Sequence, residues 1–349
     1  MGTEMRSQAS NATVTSLASR LARNTVLNRS VQVAATLWLA ANVAAIFLAR
    51  GFLPFDRPAL AGKSFAFQMT LPTLGLFEIF LLMAVVYGLT SRRSIPDIAG
   101  RSPERRVAAR EAMIVLSYAA LGQAGGWILG PAFGYRPFSF HIAGTLVGSS
   151  NPAGPGEILT WATYNFVVFA LAPYLWFRRR YTPTQLNLRS TDRLNDAVVI
   201  LCVGVIETAV ELGTFPGIFQ LTARQLLIGA PLSFLLFLIG TVLPTMVLIY
   251  AILVPRYFRL AGSFVTTVLL GGLTYAAMHL VEGWSLFKTP SDTALSLIFV
   301  LLTYFGPGMI KTFITLRTGN AWVHALGYHA VAPHVVVDTP LIVRAFGIG

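Results

Sequence analysis

Two glutamates four residues apart, Glu207 and Glu211, sit in an otherwise apolar stretch of the sequence. On a helix that spacing stacks them on one face, one turn apart. Paired acids on an apolar surface set a carboxylate beside a carboxylic acid, the raw material of general acid–base chemistry. Histidines recur in the later apolar stretches: His279 closes one, and His324, His329 and His334 mark another. A glutamate with histidines is also the raw material of a zinc site, which takes three protein ligands and keeps one position open. Glu207, His279 and His329 are the metal candidates, with His334 as the substitute for His329. A further acid, Glu78, lies among Phe77, Ile79 and Phe80 and reads as an interhelical hydrogen bonder. His324 reads as an interfacial residue and His141 as a loop residue.

The elements that must hold these groups are membrane helices. Of 349 residues, 55% are apolar and only 11% are charged, whereas an ordinary globular domain carries about 25% charged residues. So little charge cannot solvate the outside of a soluble protein this size. Stretches of about 17–25 mostly apolar residues are long enough to cross a bilayer, and the sequence holds nine candidates: 31–49, 72–89, 112–129, 158–177, 197–212, 226–254, 264–280, 294–310 and 321–337. The expected fold is an all-α polytopic transmembrane bundle of eight or nine spans. Ionisable groups at such depths cost about 2.5–3.5 kcal/mol each on insertion scales and face a cavity or a partner. The fifth, seventh and ninth spans run in the same direction, with their ionisable groups in the second half, and so can build one site. Pro216, Pro333 and a break at Gly306-Pro307-Gly308 supply the irregular backbone that such a cavity tolerates.

The net charge of +12 reads as topology rather than as a nucleic-acid partner, because the arginines are bunched between spans. With the N-terminus in the cytoplasm, the opposite side keeps only Arg50, Arg57, Lys63, Arg136, Arg224, Lys288 and Arg344 of the 26 basic residues. Lys311 and Arg317 then count as cytoplasmic, just beyond the eighth span. Residues 1–30 form a polar basic tail with a candidate interfacial helix over 17–26. Four leading spans fill 31–177, and the chemically loaded core fills 178–340. Residues 341–349 form a short C-terminal tail. In the connector, Thr182-Pro-Thr-Gln185 has the pattern of a capped helix start. The single cysteine, Cys202, packs within a span.

The second half resembles the CPBP family of intramembrane proteases, related to the type II CAAX prenyl endopeptidases and also called the Abi family. Gly271-Gly-Leu-Thr-Tyr-Ala-Ala-Met-His279 resembles the family's second motif, in which an aromatic residue precedes a histidine by one turn. Gly306-Pro-Gly-Met-Ile-Lys, then Leu316-Arg-Thr-Gly-Asn-Ala-Trp322 and Tyr328-His329, is similar to the third region. Tyr181-Thr-Pro-Thr-Gln-Leu-Asn-Leu188 resembles the connector before the first catalytic helix. The first motif departs from the family's adjacent glutamates, since Glu207 is followed by Thr208. The Asn or Asp expected four residues after His329 is replaced by Pro333, with His334 next to it.

The resemblance implies an intramembrane endopeptidase acting on a peptide or protein at the membrane. Glu207 would activate water, and Glu211 would tune its proton. His279, His329 and His334 would stabilise the oxyanion or hold a zinc ion. It also implies an integral protein of the bacterial inner (plasma) membrane, with membrane lipid around it. Two other readings are a non-catalytic relative, serving as a chaperone, immunity factor or complex subunit, and a proton-coupled transporter. Because Pro333 removes a backbone hydrogen bond, a kink over 330–333 is expected to bring His334 back toward His329. Reporter fusions placed after Arg93, Arg180 and Arg259 are expected to report cytoplasm, and fusions within 130–157 the opposite side. An external location for 92–110 would overturn this topology.

Overall fold

The computed structural model describes residues 28–55, 62–140, 153–282 and 284–349. His141 and the candidate interfacial helix over 17–26 lie outside these. Among the described residues the chain is helical, without strands. Seven helices are long and apolar enough to cross a membrane. They are α1 (Arg29–Ala49), α2 (Phe65–Leu89), α4 (Arg105–Ala132), α5 (Pro155–Arg178), α6 (Arg193–Thr214), α7 (Ala223–Ala261) and α9 (Pro290–Thr318). A short helix, α3, spans Ile98–Arg101. The helix α8 (Phe264–Ala277) has only 14 residues, a rise of about 21 Å at 1.5 Å per residue. The ninth segment opens as α10 (Ala321–His324) and continues in wide π turns, Ala325–His329 and Ala332–Val337.

Four expected features take another form. The Gly306-Pro307-Gly308 sequence does not break its helix, because α9 runs through it to Thr318. The glycines serve contact instead: a Cβ on Gly308 would lie 2.8 Å from the Gly272 Cα and 2.5 Å from the Tyr275 Cβ, so α8 and α9 touch backbone to backbone. With α9 extended, Lys311 is no loop residue but is buried within the bundle. The 341–349 tail also contains a packed helix, α11 (Thr339–Ala345), whose Ile342 and Val343 are buried. Thr182 and Gln185 do bond reciprocally as a capping box does. The chain nevertheless turns only once, since Asn187 adopts the left-handed conformation at φ 52°.

Helix directions are fixed by polar contacts at one end of the bundle. Arg93, beyond the end of α2, donates to Asp196 at the start of α6 (2.5 Å) and to the Thr318 carbonyl at the end of α9 (2.7 Å). Asp196 in turn accepts from Asn320 at the start of α10 (2.9 Å). Arg256, near the end of α7, donates twice to Glu111, near the start of α4 (3.0 and 2.8 Å). Glu111 also accepts from Tyr181, just after α5 (2.8 Å). Ser30 and Thr266 join the starts of α1 and α8 (3.0 Å). The nine apolar segments therefore alternate in direction, and the arginine-rich connections share one end. At the centre, Met246–Leu253 of α7 is buried on every side.

The Arg256–Glu111 pair is fully desolvated, with side-chain exposures of 1% and 5%. Removing one partner of a buried ion pair leaves an uncompensated charge, at a cost of roughly 3–5 kcal/mol. Glu111→Ala is thus expected to lower the thermal denaturation midpoint in detergent markedly. An unchanged midpoint would show that this contact does not hold α4 to α7.

Candidate functional site

Asp192 caps α6 by accepting from the Asn195 N–H at 3.1 Å, and this sets the phase of the helix that carries the glutamates. Where α6 meets the π turns after α10, the approach depends on two glycines. A Cβ on Gly327 would lie 3.0 Å from the Ile200 Cα, and one on Gly204 would lie 3.3 Å from the Gly327 carbonyl oxygen. That contact places Glu207, one turn beyond Gly204, beside Tyr328. Both line a cavity of about 600 Å³, together with Glu78 and Glu211. Its walls are otherwise largely apolar, from α2, α6 and α9, and Lys63 and Gln68 mark the end remote from the arginine-rich loops.

The acid pairing differs from the expected one. Glu207 faces Glu78 of α2, close enough for their side chains to interact, whereas Glu211 is an electrostatic neighbour of that pair and also of Asp338. Two carboxyl groups this close can hydrogen-bond only with a proton on one of them. Glu78 thus meets an acid of another helix on the same cavity. The site consequently reaches outside the 178–340 core. Periodicity along α6 singles out Glu211 and carries no information on a glutamate in another helix.

The histidines form an adjoining cluster around Tyr275 of α8. His279 Nδ1 lies 2.7 Å from the Tyr275 carbonyl oxygen, and its ring stacks on Tyr304 at 4.1 Å. His329 Nε2 lies 3.4 Å from the Tyr275 hydroxyl. His334 is buried and turned back, its ring 5.1 Å from that of His329. The cause is the break around Val331 between the two π turns, ahead of Pro333. His334 Nδ1 bonds Asp338 Oδ2 at 2.8 Å, and the ring stacks on Phe237 at 4.3 Å. Asp338 is a residue that the sequence reading passed over. It stands four residues after His334, one helical turn along.

His324 is wholly buried rather than interfacial, with its ring 4.1 Å from that of Tyr250. Lys311, on α9, holds its ammonium 3.7 Å from the centre of the Tyr275 ring and 5.6 Å from that of Tyr328. It lies within electrostatic reach of Glu207.

These positions do not assemble the expected zinc ligands. Among the described residues no group of three His, Cys, Asp or Glu side chains is placed to hold a metal ion, so Glu207, His279 and His329 do not fit one. Tyr275 accounts for this geometrically, since the two histidines engage opposite ends of the same residue, its carbonyl and its hydroxyl. The Lys311 ammonium beside that ring adds repulsion against a cation. What the arrangement offers is proton chemistry: an acid pair facing a cavity, with a phenol, an ammonium and oriented imidazoles behind it.

The chain matches no protein-family model, no curated protein and no solved structure.

A hydrogen bond between these two carboxyl groups is tested through stability. Glu78→Gln keeps a donor for Glu207, and its denaturation midpoint in detergent is expected to stay near wild type. Glu78→Leu leaves Glu207 without that partner, at a cost of about 1–3 kcal/mol. Equal midpoints for the two variants would remove the hydrogen bond from the account.

Proposed function

We propose that this protein is an intramembrane endopeptidase of the CPBP type, working by a glutamate-activated water without a metal ion. The observation that carries the reading is the meeting of Glu207, Glu78, Glu211 and Tyr328 on one cavity within the bundle. Glu207 takes a proton from water as the water attacks the peptide carbonyl. Glu78 holds the companion proton and orients the base. The Tyr328 hydroxyl, beside the acids, donates to the oxyanion of the tetrahedral intermediate, and that proton inventory then supplies the leaving amine. His329, placed by Tyr275, and His334, placed by Asp338, form the polar wall behind Tyr328. The largely apolar lining suits a hydrophobic segment that enters from the bilayer.

A second reading, proton-coupled transport, is favoured by one observation: several carboxyl groups facing one cavity between apolar helices can also serve as a coupling site. The two readings separate in reconstituted vesicles. Loss of a general base lowers turnover by about 10²–10⁴-fold, so Glu207→Gln is expected to abolish cleavage of a quenched-fluorescent hydrophobic peptide while the protein still elutes as the wild type does. Glu211→Gln is expected to be milder. Wild-type cleavage by Glu207→Gln would end the peptidase reading. Solute uptake driven by a pH gradient, without any cleavage, would establish transport in its place.

A further inference from the structure

Three polar side chains in the middle of the bundle have no part in that mechanism. Lys311 is 1% exposed, and His324 and Tyr250 are both 0% exposed. They come from three different elements, α9, α10 and α7. Neither ring nitrogen of His324 has a hydrogen-bond partner, and nor does the Tyr250 hydroxyl. An unsatisfied buried polar group costs about 1–3 kcal/mol, and here three such atoms belong to two rings in contact at 4.1 Å. Ordinary packing would place phenylalanine or leucine at both positions. Clustered orphan groups of this kind fit a site that holds water and moves protons.

The cluster also has neighbours on both sides. Toward the cavity, Lys311 is within electrostatic reach of Glu207 and of His324, and its ammonium rests on Tyr275 and Tyr328. Toward the other end, the Tyr250 carbonyl accepts from Asn187 Nδ2 at 3.2 Å. Asn187 Oδ1 accepts from Arg101 Nη1 at 2.7 Å, in the arginine-rich connections. Polar groups thus run from the cavity mouth near Lys63 to Arg101.

We propose that Lys311, His324 and Tyr250 form the middle of a proton path linking Glu207 with the arginine-rich end of the bundle. Each step moves one proton and breaks no other bond. The Lys311 ammonium passes a proton through water to one ring nitrogen of His324 and takes its replacement from the Glu207 carboxyl, while the other His324 nitrogen releases a proton toward the Tyr250 hydroxyl and water beyond it. The imidazole suits this place because it accepts on one nitrogen while it releases from the other. The path stands whichever chemistry occupies the cavity, because it uses only the proton on Glu207.

The test is proton flux into vesicles containing the purified full-length chain, read with a trapped pH-sensitive dye. A pH step is applied while valinomycin and potassium clamp the membrane potential. The wild type is expected to collapse the gradient faster than protein-free vesicles. His324→Gln, which retains polarity and bulk but relays no proton, is expected to fall to the protein-free rate. Tyr250→Phe, which deletes a single oxygen, should do the same while eluting from size exclusion like the wild type. Wild-type flux no faster than that of protein-free vesicles would overturn the path. So would wild-type flux in either variant.

Discussion

The buried Arg93–Asp196 contact organises more of this molecule than any other single interaction. Arg93 reaches across from the end of α2 to the start of α6 and, in the same fork, to the end of α9. Asp196 receives Asn320 from the start of α10 on its other oxygen. Four of the helices that build the cavity and its wall are tied together at their ends by one guanidinium and one carboxylate. A planar fork with several donors suits this role, because one side chain can serve several acceptors at fixed angles. In a membrane protein such a tie has particular weight. Lipid is as apolar as the helix faces, so helix association rests on packing and polar contacts rather than on hydrophobic burial.

Once the ends are tied, small residues decide how closely the helices approach. Gly272 and Gly308 let α8 lie directly on α9, and that contact sets the Lys311 ammonium over the Tyr275 ring. Gly204 and Gly327 do the same for α6 and the last segment, bringing Glu207 to Tyr328. The wide π turns around Ala325–His329 and Ala332–Val337 then re-aim the histidines. A regular helix would separate His329 and His334 by about 140° at 3.6 residues per turn, yet their rings lie 5.1 Å apart. Glycine contact and helix irregularity together turn scattered ionisable residues into two adjoining clusters.

The imidazoles are held by partners of their own. Tyr275 stands between His279 and His329 and occupies both through its carbonyl and hydroxyl. Asp338 takes one nitrogen of His334. Glu207 meanwhile faces Glu78 on the opposite helix. The site therefore divides into a carboxyl pair that faces the cavity and an imidazole and phenol wall behind it.

Composition alone determined the architecture. So few charges leave only a bilayer as solvent, and each of the nine apolar stretches is found as a helical segment of alternating direction. The placing of Glu207 on a cavity and the return of His334 were equally local, since one follows from burying an acid in an apolar stretch and the other from a proline one residue away. The partnership of Glu207 with Glu78, the burial of Lys311 and His324, and the attachment of Asp338 to His334 were of another kind. Glu78 and Glu207 are separated by more than a hundred residues, and only the packing of α2 on α6 joins them. Lys311 looked like the end of a span because hydropathy registers a charge as a boundary, whereas in the fold two aromatic faces and a carboxylate make a buried ammonium tenable. Periodicity reports what lies along one helix, and the pairing of acids across helices belongs to the tertiary structure.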